Sequence, residues 1–168
     1  RAALSGCRNI LIVGHNNPDP DAVASAWGLK KLIEADGKAH VTIGYSGLLG
    51  RAENRALVKH LDVPLKRIEK LDASAFDGLI IVDCQPGGGN LTIPDSLKPL
   101  AVIDHHPKQS GLKDIPFVDV RKTFGSCIAM VYGYLKERGV AIDSLTATIF
   151  YYAVRSETQD LGREAGLN

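Results

Sequence analysis

Three stretches of this chain, "NILIVGH" at 9–15, "DGLIIVD" at 77–83 and "PLAVIDHH" at 99–106, are each built on a short, continuous apolar run. A strand without alternating polar residues has no face to turn to water, so each belongs in a sheet covered on both sides. The segments between them change period. Ala22, Ala26, Leu29 and Ile33 recur at helical spacing from Asp21 onward, Pro18 ends any earlier helix and Gly37 supplies a stop. "AHVTIGY" reads as a second strand, "RAENRALVKHL" as a helix and "PFVDV" as a further strand. Two helices close the chain: Ile128, Tyr132 and Leu135 share a face of the first, and Leu145, Ile149 and Tyr152 share one of the second, with Asp143 or Ser144 as its cap. Strands alternating with helices predict an α/β domain whose mostly parallel sheet is flanked by helices.

Composition narrows the function classes. At 168 residues, 45% hydrophobic and 23% charged, the chain fits one soluble globular domain over 1–168. Its apolar runs are far shorter than the ~20 residues of a membrane span, and no signal segment opens it, so a cytoplasmic protein without a membrane partner is expected. Cys7, Cys84 and Cys127 are odd in number and scattered, which offers neither a disulfide framework nor a zinc motif. A net charge of +1 supplies no field for long duplex nucleic acid.

The polar residues fall in three clusters, each directly after an apolar strand: His15 to Asp21 in "HNNPDPD", Asp83 in "VDCQ", and Asp104 to His106 in "DHH". In a parallel sheet the strands' C-terminal ends share one edge, where ligands bind, so these clusters should converge. Many carboxylates with a few imidazoles and no thiolate suit manganese, magnesium or iron. More ligands than one ion needs suggests two ions, which activate a water and clamp a phosphoryl group.

"HNNPDPDAVAS", "VDCQ", "DHH" and the later "SET" resemble, in order, the four motifs of the DHH phosphoesterase superfamily. That superfamily includes nanoRNases, 3'-phosphoadenosine-5'-phosphate phosphatases, cyclic dinucleotide phosphodiesterases and family II inorganic pyrophosphatases. The resemblance runs from about Asn9 to Gly162 and implies a Rossmann-like catalytic domain with two divalent ions, manganese ahead of magnesium or cobalt. By the same resemblance, His15 and Asp19 hold the first ion, Asp83 bridges both, and Asp21 and His105 hold the second. Asp104 orients a neighbouring imidazole, and His106 contacts the substrate phosphate. The implied substrates are short oligonucleotides or small nucleotides, with pyrophosphate hydrolysis or an idle nucleotide-binding or metal-binding sensor as alternatives. A homodimer is compatible with the resemblance.

Two departures stand out. Where the family places an aspartate in its fourth motif, this chain reads Ser156-Glu157-Thr158. Glu157 aligns with it, and Asp160, three residues on, could reach the same side if the helix continued. The family's glycine-rich C-terminal domain, which selects substrate, has no counterpart here, and the start at Arg1 and the ending "REAGLN" suggest a cut.

Other residues carry plainer readings. Asp83 alone would read as a cap or turn former, and only the neighbouring clusters make it a ligand. Gly125 and Ser126 precede a helix whose first N–H groups could receive a phosphate oxygen, or Ser126 could simply cap it. Asn16 and Asn17 satisfy loop backbone, "PGGGN" at 86–90 is a flexible loop, Cys84 is a small buried hydrophobe and Trp27 packs. His40 and His60 lack any site context, and Arg51, Arg155 and Arg163 are phosphate-binding candidates by type only.

Overall fold

The structure, a computed structural model, describes residues 2–60 and 62–162. Six strands form one sheet: β1 Asn9–Val13, β2 His40–Tyr45, β3 Leu65–Arg67, β4 Gly78–Val82, β5 Pro99–Asp104 and β6 Phe117–Val120. Every pairing is parallel, and the order is β3-β2-β1-β4-β5-β6. The helices among the described residues are α1 Pro20–Glu34, α2 Ala52–His60, α3 Cys127–Glu137 and α4 Ser144–Glu157. β3 is missing from the sequence reading because three residues are too few to show a period.

Residues alternate between the two faces of the sheet. Ile10, Ile12, Ile80, Val82 and Ile103 pack against α1, α3 and α4 through Val23, Leu29, Val131, Leu135 and Ile149. Leu11, Val13, Leu79, Ile81 and Val102 point the other way. There the cover comes from loops and single 3-10 turns, through Ile68, Leu112 and the partly buried Leu71, Phe76, Leu91 and Ile115. The continuous apolar runs thus reflect two buried faces, one of them roofed largely without helix.

The predicted helical faces need adjustment. Ile128, Leu135 and Ile149 are buried, but Tyr132 is 48% and Leu145 40% exposed. α3 and α4 bury only the stripe that meets α1 and the sheet, and these two residues lie at its margin. Asp143 is the cap of α4, its carboxylate accepting the Thr146 N–H at 2.7 Å. Trp27 packs as expected and donates its indole N–H to Thr146 Oγ1 at 3.2 Å, tying α1 to α4. No helix among the described residues is long and apolar enough to cross a membrane.

At Gly28, α1 lies close against side chains of α3 and α4. A Cβ there would lie 2.7 Å from Val131 Cγ1 and 3.0 Å from Phe150 Cζ. Helix propensity favours alanine over glycine by about 1 kcal/mol, but overpacking a filled core costs about 1–3 kcal/mol. Val131 is fully buried and β-branched, so it cannot swing aside and the steric term wins. Gly28→Ala is expected to lower the urea midpoint at unchanged m-value, a net loss of about 1 kcal/mol. A raised midpoint would show that the helices can part.

The strand order fixes the position of the site. The chain moves outward from β1 to β2 and β3, then returns to begin β4 on β1's other side. At such a reversal the connections leave the sheet in opposite directions and open a crevice at the strands' C-terminal ends. β1 ends beside His15 and β4 beside Asp83.

Candidate metal centre

The loop after β1 is held by its own backbone. The Asn16 N–H donates to the Asn90 carbonyl at 2.6 Å, and the Asn17 N–H to the Ser46 carbonyl at 2.9 Å. Asn17, in the left-handed region at φ 56°, also accepts the Leu48 N–H at 2.8 Å. Pro20 starts α1 with its φ already helical, and Asp19 caps the helix by accepting the Ala22 N–H on Oδ1 at 3.0 Å. Asp19 Oδ2 is left to face His15 Nε2 at 3.5 Å.

His15 Nδ1–H donates to the Asn16 carbonyl at 2.9 Å, which places the ring's free lone pair on Nε2. His105 is arranged the same way: Nδ1–H donates to the Phe124 carbonyl at 3.2 Å, and Nε2 points into the site. Asp83 lies between them. Its Oδ2 is 3.7 Å from His15 Nε2, and its Oδ1 is 3.5 Å from His105 Nε2. The two oxygens of one carboxylate therefore face two different imidazoles. Asp83 also sits at φ 59°, a backbone conformation that non-glycine residues rarely adopt and that concentrates at functional sites.

The electrostatics of the group call for a cation. Burial, then the charge of Asp21, pushes the Asp83 carboxyl well above the usual carboxylate range. Asp83 Oδ1 and His105 Nε2 are both buried without a hydrogen-bond partner, which typically costs about 1–3 kcal/mol per group. Burial, then the charge of His106, lowers the His105 pKa and favours the neutral, ligating form. Although burial disfavours its charge, His15 is raised because Asp19 stands beside it. A divalent ion would satisfy the orphaned atoms and remove the carboxylate repulsion, so these residues fit the metal their chemistry suggested.

Asp21 is more constrained than its sequence reading. Its carboxylate accepts the Cys127 N–H at 2.6 Å, the Ile128 N–H at 2.8 Å and the Ser25 hydroxyl at 3.3 Å. It therefore caps α3 from a different helix, while Oδ2 still lies 3.7 Å from His105 Nε2. Burial, opposed by those two amides, raises its pKa to about 7. Two of the first amides of α3, which the sequence left open to a phosphate oxygen or to a Ser126 cap, thus donate to Asp21. Gly125 and Ser126 are both buried, and Ser126 makes no capping hydrogen bond.

α4 ends at Glu157, and Gln159, Asp160 and Leu161 follow with positive φ. The helix does not continue to carry Asp160 inward. Its carboxylate is instead hydrogen-bonded by Arg155 at the exposed surface. Glu157 belongs to the cluster electrostatically, since its charge helps raise Asp21, Asp83 and His106. Of the three arginine candidates, Arg155 is thus engaged, Arg51 is exposed, and Arg163 lies outside the described residues.

A cleft of about 280 Å³ opens beside the group, bounded by His15, Asp83, Asn90, His106 and Gln109. His106 Nδ1–H donates to Asp104 Oδ1 at 2.8 Å, and this hydrogen bond raises the His106 pKa. The imidazole oriented by Asp104 is therefore that of His106. "PGGGN" contributes Gly88 and Asn90 to the cleft wall. Burial holds the Cys84 thiol protonated, in keeping with a small hydrophobe. Gln85, given no role in the sequence reading beyond closing the motif "VDCQ", is 2% exposed and donates to Asp104 Oδ2 at 2.5 Å. Its only sequence signal was its place two residues after Asp83.

The model of the DHH family, N-terminal domain, matches residues 9–154. The chain belongs to the DHH family. This DHH domain is 31% identical over 155 residues to an uncharacterized protein of Methanocaldococcus jannaschii, covering 92% of the chain and 31% of that protein. It is 26% identical over 149 residues to a Bacillus cereus protein named "Probable manganese-dependent inorganic pyrophosphatase", covering 89% of the chain and 48% of the relative. Among solved structures, an exopolyphosphatase-related protein from Bacteroides fragilis shares the DHH fold with a TM-score of 0.72 at 15% identity, over 98% of this chain and 50% of that one. The chain spans half or less of the length of each.

Proposed function

We propose that this DHH domain is the catalytic part of a two-ion, manganese-dependent phosphohydrolase that cleaves phosphodiester or phosphomonoester bonds in short oligonucleotides or small nucleotides. The observation that carries the reading is Asp83, buried, with its two oxygens turned to His15 and His105. His15 and Asp19 would hold one ion, Asp21, His105 and Glu157 the other, with Asp83 shared. Such a pair supplies an activated water and neutralises charge on the phosphoryl group. His106 lines the cleft with Nδ1–H fixed on Asp104, a hydrogen bond that raises its pKa, and in this reading its other ring nitrogen would donate to a phosphoryl oxygen. The name of the Bacillus cereus relative favours pyrophosphate as a second substrate reading. Rates for the full-length protein with Mn²⁺ on a dinucleotide, 3'-phosphoadenosine-5'-phosphate, a cyclic dinucleotide and pyrophosphate decide between them. Chelation by EDTA is expected to abolish hydrolysis, and Mn²⁺ to restore it better than Ca²⁺. Undiminished turnover in chelator would end the metal reading.

The raised carboxyls also predict a pH dependence. A carboxyl whose folded pKa lies above its unfolded value binds more protons folded, so stability falls as pH rises from the unfolded value toward the folded one. For Asp21 and Asp83 that window begins near the ordinary aspartate value of 3.8 and extends upward, to about 7 for Asp21. Metal-free protein is therefore expected to lose melting temperature between pH 5 and pH 8, and Mn²⁺ to raise it more at pH 8, where its ligands are deprotonated. Thermal melts with and without Mn²⁺ check this, and a gain independent of pH would contradict it.

A further inference from the structure

Gln85 occupies a position no general role explains. Its side chain leaves the end of β4 and reaches across to the end of β5, where it is buried among polar groups. Both N–H donors and one lone pair of the amide oxygen are used. Nε2 donates to Asp104 Oδ2 at 2.5 Å and to the Pro107 carbonyl at 3.2 Å, while Oε1 accepts the Gln109 N–H at 2.8 Å. The orientation of the amide is forced, because reversing it would set oxygen against carboxylate and NH₂ against N–H.

The consequence passes to Asp104. With Oδ2 claimed by Gln85, Oδ1 is the oxygen left for His106, and it takes both the His106 backbone N–H at 3.2 Å and Nδ1–H at 2.8 Å. His106 is 49% exposed in its side chain and tilted against the His105 ring, so the hydrogen bond to Asp104 is its main polar restraint. A carboxylate free to rotate about its last bond would not fix that ring; one pinned at its other oxygen does.

We propose that Gln85 is a positioning residue that acts through Asp104 to hold His106 with Nδ1 protonated and Nε2 turned to the cleft. Glutamine suits the task because it is neutral and long enough. Glutamate would bring a second carboxylate to Asp104, and asparagine would fall short by a methylene. The kinetic consequence rests on the phosphohydrolase reading; the arrangement of the ring does not.

The test therefore has two arms. In the first, the nitrogen chemical shifts of the His106 ring are compared between wild-type protein and Gln85→Met, which keeps length and volume but removes the amide. A defined Nδ1–H form in wild type and averaged shifts in the variant are expected, and unchanged shifts would overturn the proposal. In the second, Gln85→Met is expected to lower kcat on the order of 10-fold with KM and bound metal retained, as loss of an outer partner commonly does. Placed in His106→Ala, it should cost nothing further. An additive loss would show that Gln85 merely staples the 107–109 loop, and would sink the proposal. Gln85→Asn repeats both arms should the methionine variant melt early, with the same outcomes deciding. If the ring shifts respond but wild-type protein hydrolyses none of the phosphate substrates, the function reading fails and the positioning role stands.

Discussion

Asp83→Ala is expected to release more metal than any other single ligand substitution, and to take activity down with it by at least on the order of 10², the upper end of what removal of an outer partner costs. The expectation follows from how the carboxylate is shared. His15, with Asp19 beside it, and His105 each stand on one side of Asp83, whereas Asp83 turns an oxygen to both. Losing His15 leaves the His105 side intact; losing Asp83 removes a ligand from each position at once. The variant should still fold, because the group removed is a buried carboxylate with a raised pKa and an orphaned oxygen. Metal content by mass spectrometry on Asp83→Ala and His15→Ala checks the comparison. A loss in Asp83→Ala no greater than in His15→Ala would show that the carboxylate is not shared.

His106→Ala is expected to keep both ions and lower kcat on the order of 10²–10³, the usual cost of removing one donor to developing oxyanion charge. His105→Ala is expected instead to empty the second position. The adjacent imidazoles differ in where their lone pairs lie. His105 spends Nδ1–H on the Phe124 carbonyl and keeps a buried Nε2 toward Asp83 and Asp21. His106 spends Nδ1–H on Asp104, so the nitrogen 4.0 Å from Asp83 has no lone pair to give an ion. Titrating Mn²⁺ into both variants and measuring kcat at saturation separates the roles. Metal lost from His106→Ala but kept in His105→Ala would reverse the two assignments.

Much of the fold was legible because its signals are local. Continuous apolar runs mark strands buried on both faces, and helical spacing from Ala22 to Leu29 marks the face of α1 that meets the sheet. Signals spread over too few residues or decided by distant neighbours were not legible. β3 is shorter than one period test, and Tyr132 and Leu145 share the spacing of buried residues without sharing their contacts. Asp21 shows the same limit at the site. Its place in "HNNPDPD" says that it stands at the start of α1, but not that the amides of α3, 106 residues away, turn to it.

The sequence by itself determined which residues meet at one edge, since a polar cluster directly after each buried strand must emerge at that strand's C-terminal end when the sheet is parallel. Only the tertiary structure decided what each atom there faces. The strand order set β1 beside β4 and so His15 across from Asp83, and the left-handed turn after α4 sent Asp160 to Arg155. It also ran Gln85 from one strand end to the next. The physical reason is reach. Periodicity is imposed within a few residues of chain, whereas a hydrogen bond or a shared carboxylate depends on ångström-scale placement of segments that the sequence holds far apart.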